Sequence, residues 1–316
     1  MRALRLHGVG DLRLHDEPPP EPGPGESLVR VTAVGICGSD LHWFSEGAIG
    51  EAGLARPLVL GHEFAGVTAA GQRVAVDPAD SCGQCELCRA GHPNLCEDQR
   101  FAGHSTTDGG LREYIAWPDA CLFPLPDSIS DAEGALLEPL GIALHAVDLA
   151  KLRPGMSVGV FGCGPIGLLV LQVARAAGAT TRLVTEPRAH RLAAAARYGG
   201  QPWLRGATVD VAFECAGENA AVDDAIEAVR SGGKVILVGI PSDDRTTFSA
   251  SVARRKGLTI KLSRRMKNTY PRAMRLVESG QVALRSLVSD TFPLEQAREA
   301  FACAARREGL KVVVAP

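Results

Sequence analysis

The sequence lacks three features that mark particular classes of protein. It has almost no excess charge, because 34 lysines and arginines face 36 aspartates and glutamates, for a formal net charge of −2. With no dense basic run to offset that balance, we expect no nucleic-acid partner. No stretch approaches the roughly 18–20 uninterrupted apolar residues that cross a bilayer, so we expect no membrane partner. Polar residues follow Met1–Arg5 where a signal peptide would have an apolar core, so no export signal is expected.

Internal repeats and low-complexity segments are also missing, apart from a Pro/Gly-rich turn region at Pro18–Gly25. Hydrophobic residues make up 46% and charged residues 22% of the 316 residues, which is typical of a globular protein with one large domain or two ordinary ones. The nine cysteines are an odd number, and five of them lie in metal-type contexts. This usage indicates a reducing, cytoplasmic environment and not a secreted disulfide framework.

The pattern of apolar and turn-forming residues changes near Leu140. Before it, short β-type runs such as Ser27–Val34 and Arg73–Val76 are broken by glycine and proline, which predicts a mostly β domain with long loops. After it, buried strands alternate with helical runs, which predicts an α/β fold with a doubly wound parallel sheet. The predicted elements are strands at Ser157–Phe161, Arg182–Thr185, Val209–Phe213, Lys234–Val238 and Leu258–Leu262, with a helix at Pro165–Ala177.

Two further patterns define the ends of this second region. Val222, Ile226 and Val229 fall on one face of a predicted helix, and Ser231–Gly233 supplies a stop signal after it. From about Val282 the chain returns to a mixed texture, and we expect this tail to pack back on the first domain.

A glycine fingerprint stands at the first strand–helix turn of the second region. The segment Gly162-Cys163-Gly164-Pro165-Ile166-Gly167 matches G-x-G-x-x-G. The match alone is weak, since a tight turn in a nucleotide-free α/β domain also needs glycine. A strand precedes it, a helix follows it, and an acidic residue, Glu186, ends the next strand, so the pattern favours a dinucleotide site with phosphates at the helix N-terminus.

The same segment bears on the choice of dinucleotide. Glu186 is placed to accept hydrogen bonds from the adenosine ribose hydroxyls, which disfavours a 2′-phosphate and predicts NAD. Arg188 and Arg191 follow closely and could meet a 2′-phosphate if Glu186 turned away, so NADP remains the alternative. They could equally be ordinary solvated helix residues.

Four cysteines form a closed metal signature, with the spacing C-x2-C-x2-C-x7-C from Cys82 through Cys85 and Cys88 to Cys96. Four converging thiolates hold zinc tetrahedrally and leave no position for a substrate. We therefore predict a structural zinc that contributes to folding. An iron–sulfur cluster is the competing use of such spacing.

A second constellation has mixed ligands. Cys37 and His62 are suited to zinc, and Glu63, beside His62, could bind directly or orient the ligands from behind. Glu138 lies near the predicted junction of the domains. Taken singly, a histidine is usually a satisfied polar group, a cysteine a core residue and a glutamate a solvated one. Together, upstream of a dinucleotide domain, they predict a catalytic zinc with one position open.

These residues carry a resemblance to a known family. The chain resembles the zinc-dependent medium-chain alcohol and polyol dehydrogenases over essentially its full length, and is most similar to their sorbitol and L-idonate branch. The shared motifs are Gly35–His42, Val59–Glu63, the four-cysteine loop, Asp108-Gly109-Gly110, Glu138-Pro139-Leu140, the glycine fingerprint and Arg265–Pro271.

The resemblance implies a fold and roles for particular residues. A GroES-like catalytic domain would span residues 1–141 and 282–316, a Rossmann domain would span 142–281, and the active site would lie in the cleft between them. By resemblance, Cys37, His62, Glu63 and Glu138 surround a catalytic zinc, Ser39 and His42 form a proton relay, and two zinc ions are bound per subunit. The implied cofactor contacts include the glycine fingerprint with Pro165 and Ile166, Glu186, Arg191, Val238, Gly239 and Arg265. Family members are commonly dimers or tetramers, so a homo-oligomer is expected.

The chain departs from the family pattern at several points. Trp43 stands where a substrate-contacting tyrosine is expected, and Met266 replaces another. Only a short segment separates Gly200 from Val211, where the family fits a further strand and helix. We therefore expect the adenine side of the cofactor domain to be trimmed, with Trp203 covering the gap. The segment from Phe64 to Val76 is also short, and a β-hairpin is expected to be missing there.

The predicted reaction is reversible oxidation of a secondary alcohol of a polyol or sugar acid by hydride transfer to NAD. The alternative within the enzyme class is L-threonine 3-dehydrogenase, whose amino-acid substrate Arg265 could hold through its carboxylate. An alternative of another class is a non-catalytic zinc- and nucleotide-binding sensor, which the shortened segments would favour. Ser39 and His42 speak against the sensor, since they serve no obvious purpose without proton transfer.

Overall fold

The chain divides into two compact units in a computed structural model that describes residues 1–316. The first unit comprises Met1–Glu138, Tyr270–Glu278 and Leu284–Pro316, and the second comprises Pro139–Thr269 and Ser279–Ala283. No helix of the chain is both long enough and apolar enough to cross a bilayer.

The secondary structure consists of twenty strands and ten α-helices, labelled in chain order. The strands are β1 Arg2–Gly8, β2 Asp11–Asp16, β3 Glu26–Gly35, β4 Ala48–Ile49, β5 Ala52–Gly53, β6 Leu58–Val59, β7 Glu63–Thr68, β8 Arg73–Val76, β9 Ala79–Asp80, β10 Arg100–Phe101, β11 Tyr114–Pro118, β12 Leu122–Pro124, β13 Ser157–Phe161, β14 Thr181–Thr185, β15 Gln201–Pro202, β16 Val209–Glu214, β17 Val229–Leu237, β18 Thr259–Leu262, β19 Val288–Pro293 and β20 Lys311–Ala315. The helices are α1 Gly38–Glu46, α2 Glu86–Arg89, α3 Asp131–Ala135, α4 Leu137–Ala150, α5 Pro165–Ala176, α6 Ala189–Arg197, α7 Asn219–Ala228, α8 Ala250–Lys256, α9 Tyr270–Glu278 and α10 Ala297–Arg306.

The first unit is built on a seven-stranded sheet, as the β-type runs predicted. Its order is β12-β8-β7-β3-β20-β19, and β11 also pairs with β3. The C-terminal strand β20 pairs antiparallel with β3, so that Val313 lies opposite Gly35. On its other side β3 pairs antiparallel with β7, which places Glu63 opposite Gly35 as well. The predicted return of the tail to the first domain is thus confirmed, and its effect is to bring the end of the chain beside Glu63.

The core of the first unit contains large side chains that are almost wholly buried, among them Trp43, Phe64 and Phe301. Trp43 is 1% exposed and packs edge-on against His104, with the ring centroids 5.7 Å apart. The residue that replaces the family's tyrosine is therefore a core residue. Between Phe64 and Val76 the chain forms only β7 and β8, which pair as a hairpin around residues 69–72.

The second unit is a six-stranded sheet in which every neighbouring pair is parallel. The order is β15-β14-β13-β16-β17-β18, so its strands, numbered along the chain, run third, second, first, fourth, fifth and sixth. This is the order of the dinucleotide-binding doubly wound fold, in which the ligand site lies where the order reverses, here between β13 and β16. The predicted Rossmann architecture is confirmed.

Two details of the second unit correct or refine the sequence analysis. Helix α7 ends at Ala228, and Val229, predicted on its buried face, opens strand β17 and pairs with Val209. Val229 is β-branched and fully buried, and it suits a central strand as well as a helix face. The trimmed segment after Gly200 still contains a strand, β15, with two residues paired parallel with β14, while no helix follows it before β16.

Trp203 lies in the gap after β15, as expected. Its ring packs edge-on against Phe161, with centroids 5.6 Å apart, and its Nε1–H donates to the Ala207 carbonyl at 2.9 Å. It belongs to the apolar cluster around α7 and β17. One aromatic side chain therefore supplies packing that a helix would otherwise provide.

Helix α9 belongs to the first unit, whereas the boundary predicted at residue 282 assigned it to the cofactor domain. Tyr270, at its start, is 1% exposed, and its hydroxyl donates to the Val76 carbonyl at 2.7 Å. Its ring stacks on Phe123 at a centroid distance of 4.7 Å. These contacts with β8 and β12 explain the assignment.

We expect Tyr270→Phe to destabilise the first unit by about 1–3 kcal/mol, because it leaves the buried Val76 carbonyl without a donor. Chemical denaturation followed by circular dichroism measures the change. Tyr114→Phe is the matched control, since the Tyr114 hydroxyl makes no hydrogen bond to the protein and its removal should leave the unfolding midpoint unchanged. Equal midpoints for the two variants would contradict the assigned role of the hydroxyl.

Candidate metal centres and nucleotide site

Cys37 and His62 are brought together by a buried carboxylate between them. Cys37 immediately precedes α1, and Asp40, three residues later, accepts a hydrogen bond from the Cys37 backbone N–H at 2.9 Å. The other oxygen of Asp40 accepts from the Gly61 N–H at 3.2 Å and lies 3.5 Å from His62 Nδ1. Asp40 is 1% exposed, so these contacts take the place of the water that would otherwise surround its carboxylate. They also fix the two segments relative to each other.

The segment that carries His62 is also held from its other side. Gly109 and Gly110 donate their N–H groups to the carbonyls of Val59 and Gly61, each at 2.7 Å. A Cβ atom on Gly109 would lie 2.2 Å from the Gly61 oxygen, so the two backbones can approach this closely only at a glycine. Asp108 accepts the Val59 N–H at 3.1 Å. The Asp-Gly-Gly motif therefore fixes the backbone that presents His62.

The ligand atoms of Cys37, His62 and Glu63 all lie within 4.8 Å of one another. His62 Nε2 is directed toward Ser39, whose Oγ lies 3.4 Å away. Burial alone would lower the pKa of His62, but the negative charges of Asp40 and Cys37 outweigh it and raise that pKa well above its usual value. A site that draws positive charge onto a buried imidazole, with a thiol and a carboxylate beside it, suits a zinc ion.

Glu138 lies outside this close group but within its electrostatic reach. It is buried, and burial raises the pKa of its carboxyl to about 8, while His62 acts to lower it and Glu63 to raise it. A buried carboxyl in such a place gains from a nearby cation.

Ser39 and His42 lie on the first turns of α1, so the structure places both on one short helix. The side chain of His42 is 21% exposed. Its Nδ1 lies 2.9 Å from the Glu46 carboxylate, one helical turn on. An imidazole fixed in this way at the surface can exchange protons with water.

The four-cysteine group is compact and contains no disulfide. The Sγ atoms of Cys82, Cys85, Cys88 and Cys96 lie within 4.8 Å of one another, and all four cysteines are free. Cys96 Sγ lies 3.5 Å from Cys82 Sγ, close to the separation of about 3.8 Å that two thiolates take on a tetrahedral zinc with Zn–S bonds of about 2.3 Å.

Backbone N–H groups of the same loop point at the sulfur atoms. Cys85 N–H donates to Cys82 Sγ at 3.3 Å and Cys88 N–H donates to Cys85 Sγ at 3.4 Å. Such bonds from Gln84 and Cys85 lower the pKa of the Cys82 thiol to about 7. The loop thus favours at Cys82 the thiolate, which is the form that binds metal, whereas burial raises the pKa of the Cys88 thiol to about 12.

The nucleotide fingerprint forms a tight turn between β13 and α5 in the second unit. Gly162 has φ +96°, and a Cβ on Gly167 would lie 1.9 Å from the Gly162 oxygen, so both positions require glycine. Gly164 precedes the helix, with Pro165 at its first position. The first N–H groups of this helix have no acceptor within the helix, and helix starts of this kind can bind anions.

Glu186 stands at the end of β14 and faces the fingerprint. Its carboxylate accepts the backbone N–H of Cys163 at 2.9 Å and that of Arg188 at 3.0 Å. The guanidinium of Arg191, on α6, lies 3.5 Å from the place of a Cβ on Gly164. The structure therefore brings the acidic residue and one predicted arginine to the same turn.

The remaining predicted cofactor residues follow strands of the same parallel sheet. Val238 and Gly239 follow β17, and both donate their N–H groups to the Glu214 carbonyl, at 2.8 and 3.1 Å. Arg265 follows β18 and has φ +53°, in the left-handed region. Ile166 lies in the first turn of α5, one residue after Pro165.

Two residues of the first site carried no predicted role. Asp40 was part of a quoted motif, and its position three residues after Cys37 is the spacing of a capping box, which could have revealed it. Lys311 Nζ lies 2.8 and 2.7 Å from the two oxygens of Glu63 and 3.0 Å from the Ile36 carbonyl. Its only signal in the sequence is a single charge beside the apolar run Val312–Val314.

Comparisons with known proteins agree with this geometry. The family described as alcohol dehydrogenase GroES-like domain matches residues 23–127, and the family described as zinc-binding dehydrogenase matches residues 165–279. The chain is 37% identical to sorbitol dehydrogenase of Bacillus subtilis, covering 100% of this chain and 97% of that protein. It is 35% identical to L-idonate 5-dehydrogenase of Vitis vinifera, covering 96% and 91%.

A solved structure adds agreement in three dimensions. A zinc-binding dehydrogenase from Sinorhizobium meliloti, bound to NADP, superposes with a TM-score of 0.90 at 32% identity, covering 100% of this chain and 99% of that one. The first unit is thus a GroES-like domain and the second a Rossmann domain. The chain belongs to the family of zinc-binding, medium-chain alcohol dehydrogenases, and it is an oxidoreductase.

We expect Asp40→Asn to weaken zinc binding by about 10–100-fold, because the carboxylate that orients His62 is lost. Competition with a chromophoric chelator measures the affinity. Asp11→Asn is the control, since its carboxylate pairs with Arg13 on the exposed β1–β2 hairpin. Unchanged zinc affinity in Asp40→Asn would show that His62 is oriented without this contact.

Proposed function

We propose that the protein reversibly oxidises a secondary alcohol of a polyol or a sugar acid, with zinc at the first site and NAD as hydride acceptor. The observation that carries the proposal is the close group formed by Cys37, His62 and Glu63, whose ligand atoms lie within 4.8 Å of one another. Relatives named sorbitol dehydrogenase and L-idonate 5-dehydrogenase support the substrate class, one a polyol and the other a sugar acid.

Cys37 and His62, with Glu63 and Glu138 as the carboxylates, would hold the catalytic zinc. When bound, the zinc supplies a Lewis acid that lowers the pKa of a substrate hydroxyl, and NAD supplies the hydride acceptor. Asp40 contacts Nδ1 and so keeps the imidazole turned with Nε2 toward Ser39. The burial of Glu63 and Glu138 keeps water away from that side of the site.

Ser39 and His42 would carry the proton that leaves the substrate. The Ser39 hydroxyl, 3.4 Å from His62 Nε2, is the polar group beside the metal ligands that can accept a proton and release its own. The partly exposed position of His42 lets its imidazole pass a proton to water, and its contact with Glu46 holds the ring in place. Positioned proton transfer of this kind contributes roughly 10²–10⁴-fold in rate.

The second unit would bind NAD at the fingerprint. Gly162, Gly164 and Gly167 leave room for the pyrophosphate, with Pro165 and Ile166 opening the helix. Glu186 would turn from the backbone N–H groups to the adenosine ribose, which favours NAD over NADP. Further contacts would come from Arg191, Val238, Gly239 and Arg265. NADP remains the alternative because of Arg191, and the Sinorhizobium meliloti structure holds that cofactor.

The other proposed properties follow from composition and family. Cys82, Cys85, Cys88 and Cys96 would hold a structural zinc, which makes two zinc ions per subunit. The partners would be the small-molecule alcohol or sugar acid and further copies of the chain in a homo-oligomer. A cytoplasmic location is supported by the absence of any disulfide among nine cysteines.

We expect His62→Ala to lower turnover at least about 10³-fold, since the loss of Lewis-acid catalysis removes several kcal/mol of stabilisation. NADH binding, followed by fluorescence, should stay within about threefold of wild type. His7→Ala is the matched control, because His7 lies on β1 outside the metal cluster. Wild-type turnover with zinc retained would exclude this site as the catalytic one.

A panel of sorbitol, L-idonate, galactitol and L-threonine with NAD and NADP, and zinc measured on the same sample, tests the substrate class. Reduction of NAD by a polyol or by L-idonate supports the proposal. A preference for L-threonine would identify the amino-acid alternative.

Cys88→Ser should lower the zinc content by one equivalent and lower the melting temperature, because a closed four-thiolate site contributes to folding. Calorimetry and metal analysis of the same preparation measure both effects. Cys303→Ser is the control, since Cys303 lies on α10 outside either cluster. Lost activity with unchanged melting would mean that the roles of the two sites are reversed.

A further inference from the structure

A lysine buried in the first unit has all of its donors engaged at the catalytic metal site. Lys311 opens β20 and is 3% exposed, while Glu63 is fully buried. Its ammonium has three protons, and three acceptors surround it: both oxygens of Glu63, at 2.8 and 2.7 Å, and the Ile36 carbonyl at 3.0 Å. Each N–H group of the ammonium therefore has an acceptor.

The residues that accept hydrogen bonds from Lys311 are the sequence neighbours of two candidate metal ligands, Cys37 and His62. Ile36 directly precedes Cys37, and Glu63 directly follows His62. One ammonium therefore joins the end of β3 to the start of β7, in addition to the link that Asp40 makes. Strand pairing adds to this, since the Ile36 N–H donates to the Val312 carbonyl at 2.9 Å.

Gly35, which has no side chain, also leaves room for the Glu63 carboxylate. A Cβ atom on Gly35, which lies opposite Glu63 in the sheet, would be 2.2 Å from Glu63 Oε2. Glycine thus leaves the space in which the carboxylate meets Lys311. Three residues from three strands build this contact.

The ion pair between Lys311 and Glu63 lowers the net negative charge that a metal ion at this site would encounter. Cys37 as thiolate and Glu138 as carboxylate already offer two negative charges to a divalent cation, and Glu63 would make a third. A full charge from Lys311 at 2.7 Å offsets that of Glu63 in a buried place where charges are poorly screened. A metal there keeps more of its own positive charge, which is what polarises a substrate hydroxyl.

We propose that Lys311 is a positioning residue of the catalytic metal site, where its ammonium balances Glu63 and joins the segments that carry Cys37 and His62. The inference rests on the proposed function, since it assumes that the first site binds a metal. It assigns no chemistry to Lys311 itself. The lysine acts through the charge and the placement of the ligands.

Cobalt spectroscopy and metal affinity test the inference apart from activity. Co²⁺ replaces zinc, and the absorption of the first site is obtained by subtracting the spectrum of Cys37→Ser protein, which keeps the four-cysteine site. Lys311→Met should shift these bands and tighten metal binding about tenfold or more, because Glu63 is left without its counter-ion. Its turnover should fall while KM changes little.

Rescue separates charge balance from simple packing. Glu63→Gln should weaken metal binding by about 10–100-fold, because it leaves the ammonium unopposed beside the cation. Adding Lys311→Met should return the affinity to within about threefold of wild type, since the neutral pair again carries no net charge. This double variant also avoids an unpaired buried charge and keeps the test usable if Lys311→Met does not fold.

Lys256→Met is the matched control. Lys256 also has three acceptors at Nζ, the carbonyls of Ile226, Glu227 and Val229, but in the second unit. It should lower stability without changing the cobalt spectrum or the metal affinity. Unchanged spectra and affinity in Lys311→Met, or a double variant that binds the metal no more tightly than Glu63→Gln alone, would overturn the inference. Failure of wild-type protein to take up Co²⁺ in a Cys37-dependent way would instead overturn the proposed function.

Discussion

The buried carboxylate of Asp40 is the contact on which the first metal site depends. It is almost inaccessible to water, and it is solvated by the N–H groups of Cys37 and Gly61 and by the imidazole of His62. Removing any of these partners would leave a charge buried without compensation, which is strongly unfavourable. The loop after β3 and the segment before β7 are therefore held together before any metal binds. The Cys37 thiol and the His62 imidazole lie at one site because the Asp40 carboxylate contacts both segments.

Several carboxylates of the first unit pair with a cationic side chain. Arg5 donates to Glu17 and Asp108, and Lys311 donates to Glu63. Glu138 has no such ion pair, although it is buried, and its pKa is raised to about 8. These pairs show that the fold can supply a counter-ion beside a carboxylate. The acid without one lies within electrostatic reach of His62 and Glu63, where a bound cation would replace the missing partner.

Local patterns in the sequence predicted most of the fold, and long-range contacts account for what it missed. Strand β13 and helix α5 were predicted nearly to the residue, because apolar runs and a glycine turn are local signals. Val229 was misplaced because a buried valine fits a helix face and a central strand equally well. The candidate metal ligands could be predicted from their residue types and their spacing. The partner of Glu63 was not, since Lys311 lies 248 positions away and only the pairing of β20 with β3 brings it near.

The shortened edge of the second unit shows which part of the sheet the nucleotide site needs. Gly162 follows β13 and Glu186 follows β14, and these two strands pair along their whole length from Ser157 to Phe161. The third strand, β15, touches only Leu183 and Val184 of β14 and supplies no residue to the fingerprint. The switch between β13 and β16 is likewise formed without it. Reducing β15 to two residues, with Trp203 closing the gap, therefore removes the outer edge of the sheet while the acid and the glycines keep their places.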